Sequence, residues 1–197
     1  MPSFRTMSAH RPFSLPPPKL APWTLVERRR VQTYRVFGVD ELELRDGHGR
    51  RRDGLYTMAC RDWVNVVALT DEDELVLVWQ WRFGSASFCL ETVGGIVDEG
   101  ESPADAAARE LREETGYEAA AFELLGAPFA NPALHGNRMH VFLATGARKV
   151  HDTHFDEHED IEVALIPAEH TARLLDEGHV DHALCHVGLG ALLRRRT

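Results

Sequence analysis

The chain has 197 residues and carries 22 Lys plus Arg against 31 Asp plus Glu, a formal net charge of −9. That length suffices for one domain with a sizeable core, and the acidic balance argues against nucleic-acid binding, since the phosphate backbone would meet like charge. Cys60, Cys89 and Cys185 are scattered without paired spacing, which predicts free thiols in a reducing, cytoplasmic setting rather than a disulfide framework or a zinc site.

Residues 1–22 hold Pro2, Pro12 and the run Pro16-Pro17-Pro18 and no apolar stretch of signal-peptide type, so an extended tail is expected. No later stretch reaches membrane-spanning length. Residues 23–60 alternate loosely between apolar and polar. Thr33–Val36, Glu41–Leu44 and Leu55–Ala59 read as short strands, with Asp46–Asp53 a polar turn. Trp63–Thr70 and Glu74–Trp81 are two strong strands joined by an Asp71-Glu72-Asp73 turn. Their near-continuous Val and Leu runs suit strands buried on both faces. Phe88–Val93 is a further strand that delivers the chain to Gly94-Gly95, where the missing side chains let backbone approach a phosphate or a metal closely.

The next stretch, Gly95 to Tyr117, organises the chain. Ser102 is a good N-cap, Pro103 fits the first helical position, Asp105 completes a weak capping box, and Gly116 is placed to stop the helix in a left-handed conformation. Ala104, Ala107, Ala108 and Leu111 form one apolar stripe at helical spacing. Glu110, Glu113 and Glu114 fall in a sector about 100° wide beside it. Taken alone, such a helix also reads as a solvated acidic face supported by an i,i+4 pair such as Arg109–Glu113. Carboxylates gathered this closely repel one another, and a hard divalent cation relieves the repulsion; Mg²⁺ takes oxygen ligands and keeps positions for water and phosphate.

The residues Gly95, Glu101, Arg109, Glu110, Leu111, Glu113, Glu114 and Gly116 stand at the spacing of the Nudix box, G-x5-E-x7-R-E-U-x-E-E-x-G-U, and the chain is identified as resembling that family. Tyr117 departs from the usual aliphatic residue and reads as a packing variant. The resemblance implies a fold of α/β class, the α/β/α Nudix sandwich with a mixed sheet, and a small N-terminal antiparallel β-extension at 23–60 that contacts a second copy in a homodimer. Residues 61–197 would form the Nudix domain. It also implies hydrolysis of a nucleoside diphosphate joined to another group with Mg²⁺ or Mn²⁺. The metal ligands implied are Glu110, Glu113, Glu114, the Gly94 carbonyl and, through water, Glu101, with Arg109 orienting the glutamates.

Further segments resemble the ADP-ribose branch. Gln80-Trp81-Arg82-Phe83-Gly84 is similar to its Q-Y-R-x-G segment, whose arginine faces substrate; the residues themselves equally allow a surface ion pair for Arg82. Pro132 lies 16 residues after Gly116, a spacing associated with the branch. Asn131, Asn137 and Arg138 in that loop are either substrate contacts or turn chemistry. Glu157-His158-Glu159-Asp160-Ile161-Glu162-Val163 is similar to its E-x-E-D-I-x-V segment, which implies Glu157 as general base, with Glu159 as runner-up. His151, His154 and His158 lie among acids at irregular spacing, and polar surface is the expectation over a transition-metal site. Ala121–Leu125, Met139–Thr145 and Ile161–Pro167 read as strands, and Ala168–Glu177 and Asp181–Arg195 as closing helices. The expected activity is hydrolysis of ADP-ribose to AMP and ribose 5-phosphate. The alternatives are a GDP- or UDP-sugar, a dinucleoside polyphosphate or NADH, or a ligand sensor, which the complete set of box carboxylates disfavours.

Overall fold

The computed structural model describes residues 15–153 and 160–196. Two sheets carry the architecture: a three-stranded antiparallel sheet in the order β1 (Thr24–Thr33), β2 (Gly38–Arg45), β3 (Arg51–Ala59), and a seven-stranded mixed sheet. The larger sheet runs β10 (Ile161–Pro167), β5 (Glu74–Arg82), β6 (Ser87–Ile96), β4 (Trp63–Thr70), β9 (Met139–Lys149), β7 (Tyr117–Glu118), with β8 (Ala121–Gly126) also paired to β9. β4 and β9 are parallel and the other pairings antiparallel.

Helix α1 (Pro103–Thr115) covers one face, and α2 (Thr171–Asp176) and α3 (Ala183–Arg196) the other. The alternation of the central strands explains both layers. Val64, Val66 and Ala68 of β4, with Val76 and Val78 of β5, pack with Ala106, Ala107 and Leu111 of α1. Val67, Leu69, Leu75 and Leu77 point the other way and pack with Leu174, Cys185, Leu189 and Leu192. Among the described residues, no helix is long and apolar enough to cross a membrane.

β6 positions the site. β4 and β5 pair directly at their hairpin end, through Ala68–Val76 and Leu69–Leu75, and then separate. β6 fills the opening: Ser87–Thr92 pair with β5, and Val93, Gly94, Gly95 and Ile96 pair with β4. The strand therefore continues through the two glycines, beyond the Val93 end expected from sequence.

The small sheet differs most from expectation. Of the expected strand Thr33–Val36 only Thr33 is in one, as the last residue of β1; Tyr34 N–H donates to the Phe37 carbonyl at 2.8 Å and the two rings lie 5.0 Å apart, a turn between β1 and β2. The missed strand β1 is exposed at nine of its ten residues, so the Glu27-Arg28-Arg29-Arg30 run carries no apolar alternation to betray it. Met58 links this sheet to the rest, donating its N–H to the Leu134 carbonyl at 2.8 Å. The closing elements are shorter than expected: a 3₁₀ turn at Ala168–His170 precedes α2, and α3 begins at Ala183.

Candidate active site

The site grows from the ends of α1. Ser102 caps the first turn, accepting from Asp105 N–H at 3.2 Å while its hydroxyl donates to the Asp105 carboxylate at 2.6 Å. Gly116 ends the helix at φ 74° and returns its N–H to the Arg112 carbonyl. The buried face is centred on Ala107, Leu111 and Glu114, the i, i+4 and i+7 positions, with Ala106 beside them. Ala104 and Ala108, expected in the apolar stripe, are exposed instead. The helix is rolled so that its glutamate side turns inward. This leaves Glu114 3% exposed and swings the two alanines out.

Arg109 gathers the carboxylates. Its Nε and Nη2 each donate to Glu101 at 2.9 Å, and Nη1 donates to Glu110 at 2.8 Å and Glu113 at 3.1 Å. Nη2 also donates to the Ile96 carbonyl at 3.0 Å, which ties the helix to the end of β6. Glu101, Glu110 and Glu113 thus share one guanidinium. The bond to Glu101 and the neighbouring carboxylates raise the Arg109 pKa further, against the opposing effect of burial. The same ion pair, more than the opposing burial, lowers the Glu101 pKa. The three carboxylates and their arginine leave two net negative charges, with Glu114 adjacent, a set of hard oxygen donors suited to a divalent ion such as Mg²⁺.

The glycines close the arrangement. A Cβ on Gly95 would lie 2.0 Å from Glu110 Oε1, and one on Gly94 would lie 2.6 Å from the Val64 carbonyl oxygen. Gly94 N–H donates to Glu114 Oε2 at 3.3 Å. The backbone of β6 and the carboxylates of α1 are therefore in direct contact, a fit that side chains at 94 and 95 would prevent.

Beside the glycines lies a cavity of about 480 Å³, whose lining includes Arg82, Glu91, Gly94, Gly95, His182 and Cys185. Arg82 forks onto Glu91, with Nε to Oε1 at 2.7 Å and Nη2 to Oε2 at 2.6 Å. The pair is half a surface one: the Glu91 carboxylate is buried, while the Arg82 side chain is 42% exposed. His182 Nδ1 lies 2.8 Å from the same Oε2. Burial pushes the Glu91 carboxyl up, but Arg82 and His182 outweigh it and bring it down to about 2. Cys185 and Glu91, against the opposing effect of burial, push His182 up to about 10. Asn65 Nδ2 donates to Thr92 Oγ1 at 2.6 Å in the same wall.

Of the residues singled out in the sequence, Glu101, Arg109, Glu110, Glu113, Glu114 and Gly94 come together, and Arg82 lines the cavity next to them. Asn137 and Arg138 sit on the loop before β9, outside the residues lining the cavity. Asn137 Oδ1 bonds to His135 Nδ1, while Arg138 stacks 4.1 Å over the Phe129 ring and donates to the Ala127 carbonyl at 2.7 Å. Pro132 lies in a turn closed by Leu134 and His135 N–H groups on the Asn131 carbonyl. Glu157 and Glu159 lie outside the described residues, as do His154 and His158. Glu91 carried no signal of its own, reading as one polar position in a strand, and Cys185 read only as one of three scattered free thiols.

A model of the NUDIX domain matches residues 61–184. The ADP-ribose pyrophosphatase of Bacillus subtilis (strain 168) is 31% identical over 163 residues, 79% of this chain and 86% of that one. The methanol dehydrogenase activator of Bacillus methanolicus is 27% identical over 164 residues, 79% of this chain and 87% of that one. A solved structure described as that of an ADP compounds hydrolase superposes with a TM-score of 0.79 at 27% identity, covering 90% of this chain and 96% of that chain. With the box residues assembled around Arg109 and the matching domain spanning most of the chain, the protein belongs to the Nudix family of hydrolases.

Proposed function

We propose that the chain hydrolyses the diphosphate bond of a nucleoside diphosphate sugar, with ADP-ribose the best substrate, giving AMP and ribose 5-phosphate. The observation that carries this reading is the cluster of Glu101, Glu110 and Glu113 around Arg109, with Glu114 on the Gly94 N–H, pressed against Gly94-Gly95 at the edge of a cavity large enough for a nucleotide. The similarity to the Bacillus subtilis ADP-ribose pyrophosphatase and to the ADP compounds hydrolase structure supports the ADP-linked substrate.

Glu110, Glu113, Glu114 and the Gly94 carbonyl would hold Mg²⁺ or Mn²⁺, with Glu101 reaching the ion through water. When bound, such an ion neutralises the diphosphate and lowers the pKa of a water. The chain's own residues do the rest. Arg109 holds three of the carboxylates in place and, being spent on them, does not contact substrate. Arg82, held by Glu91 at the cavity wall, presents positive charge to the substrate side. Glu157 accepts the proton of the attacking water.

The protein works as a homodimer in this reading. A sheet whose outer strand is exposed along nearly its whole length, with Trp23, Leu25, Val26 and Tyr56 each about half exposed, gains a core by packing on a second copy. A panel of nucleotide sugars, dinucleoside polyphosphates and nucleoside triphosphates with Mg²⁺, scored by chromatographic separation of the nucleotide products, tests the substrate. ADP-ribose should show the highest kcat/KM; a clear preference for triphosphates or dinucleoside polyphosphates contradicts the proposal.

A further inference from the structure

The Glu91 carboxylate, the His182 imidazole and the Cys185 thiol converge: one ligand atom from each lies within 4.8 Å of the others, at the cavity wall. The box carboxylates are hard oxygen donors. This second group joins one oxygen, one nitrogen and one sulfur, the donor set of a borderline transition ion rather than of Mg²⁺.

The fold builds the group from two places. His182 and Cys185 stand three residues apart where α3 begins, and Cys185 N–H donates to the His182 carbonyl at 2.9 Å, so both side chains leave the same turn. Glu91 comes from β6 and is held by Arg82. Cys185 is 1% exposed in the core beneath α3, which fixes one corner of the site. In tetrahedral zinc sites the ligand bonds of about 2.0–2.3 Å set donor atoms roughly 3.3–3.6 Å apart. The donor atoms here, from the 2.8 Å between His182 Nδ1 and Glu91 Oε2 to at most 4.8 Å, span that spacing.

We propose that Glu91, His182 and Cys185 form a second metal site, distinct from the box carboxylates, that takes Zn²⁺ or a similar thiophilic divalent ion. The ion takes the place of the proton between His182 Nδ1 and Glu91 Oε2. The His182 and Cys185 protons leave to solvent as the ion enters, so two positive charges arrive as two depart. Arg82 keeps its Nε bond to Glu91 Oε1 and so orients the carboxylate, while its Nη2, which donates to Oε2, yields that oxygen to the ion. The fourth position faces the cavity and takes water.

Co²⁺ tests this without relying on turnover, because a thiolate bound to Co²⁺ gives a near-ultraviolet charge-transfer band that carboxylate ligation does not. Co²⁺ is titrated into the full chain in excess Mg²⁺. The band should appear and saturate at one thiolate-bound ion per chain. It should vanish in Cys185→Ser and persist in Cys89→Ser and Glu114→Gln. His182→Gln should weaken the binding by at least about 10-fold. Should Cys185→Ser not fold, the partly exposed His182→Gln decides alone. A wild-type chain without the band, a band lost in Cys89→Ser, or a His182→Gln chain that binds as tightly as wild type overturns the site.

Discussion

Gly94 and Gly95 are neighbours with opposite structural demands, and alanine at each separates packing from chemistry. At Gly94 the added Cβ would meet the Val64 carbonyl oxygen, a backbone atom of the neighbouring strand, at 2.6 Å. Relief to an ordinary contact of 3.4 Å or more requires β4 and β6 to part where Gly94 opposes Asn65 and Gly95 opposes Val64. Overpacking of this kind costs about 1–3 kcal/mol. At about 2–4 °C per kcal/mol for a chain of this size, Tm should fall by roughly 2–12 °C. At Gly95 the clash is with Glu110, at 2.0 Å from Oε1 and 2.2 Å from the carboxyl carbon. That group is the end of a flexible side chain and swings away. The lost Arg109–Glu110 pair is partly exposed, worth within about 1 kcal/mol, and alanine recovers about 0.4–1 kcal/mol through the unfolded chain. Tm of Gly95→Ala should therefore stay within about 4 °C of wild type. Its Mg²⁺ affinity, read by calorimetric titration, should fall by about 10–100-fold because Glu110 no longer sits where Arg109 held it. Scanning calorimetry and metal titration of both variants decide the matter. A Gly95→Ala chain that loses as much Tm as Gly94→Ala yet binds Mg²⁺ normally refutes the reasoning.

Glu157→Gln should lower kcat by about 10²-fold or more with metal affinity nearly unchanged, and Glu159→Gln should do much less; a crippled Glu159→Gln beside a healthy Glu157→Gln reverses the two roles. Burial pushes the Asp46 carboxyl up, but the Arg50 and His48 N–H groups and the Arg50 and Arg52 guanidiniums outweigh it and hold the carboxyl well below its ordinary 3.8. Its stabilisation of the β2–β3 turn is therefore full above that value and lost as pH falls below it. Tm of Asp46→Asn should lie below wild type at neutral pH and converge on it in acid, and a gap that widens in acid would contradict this. Light scattering at micromolar concentration should give twice the 22.2 kDa chain mass; the monomer mass would refute the dimer.

What the sequence made legible follows from how local the signals are. The caps of α1 lie within a few residues of the helix and foretold both its ends. β4 matches its expected span because a continuous apolar run marks a strand buried between layers, whereas β10 matches its span as an edge strand that is buried only at Ile161. β1 escaped because it is exposed along nearly its whole length and its Leu25, Val26 and Val31 follow no alternation, so no period separates inside from outside. The roll of α1 escaped as well. Ala104 and Ala108 fit an apolar stripe, but the carboxylate Glu114 holds the buried position since Gly94 N–H meets it there. The Arg82–Glu91–His182 network depends on β6 meeting the start of α3, a closure across 91 residues that no local spacing encodes.

The central claim is that the carboxylates gathered at the glycine turn of β6 bind the metal for hydrolysis. Glu114→Gln tests it most directly, since glutamine keeps the shape and can still accept from Gly94 N–H while removing the charge. With ADP-ribose and Mg²⁺, and folding verified by circular dichroism, the rate should fall by about two orders of magnitude or more. A folded Glu114→Gln chain that hydrolyses ADP-ribose at close to the wild-type rate would contradict the account.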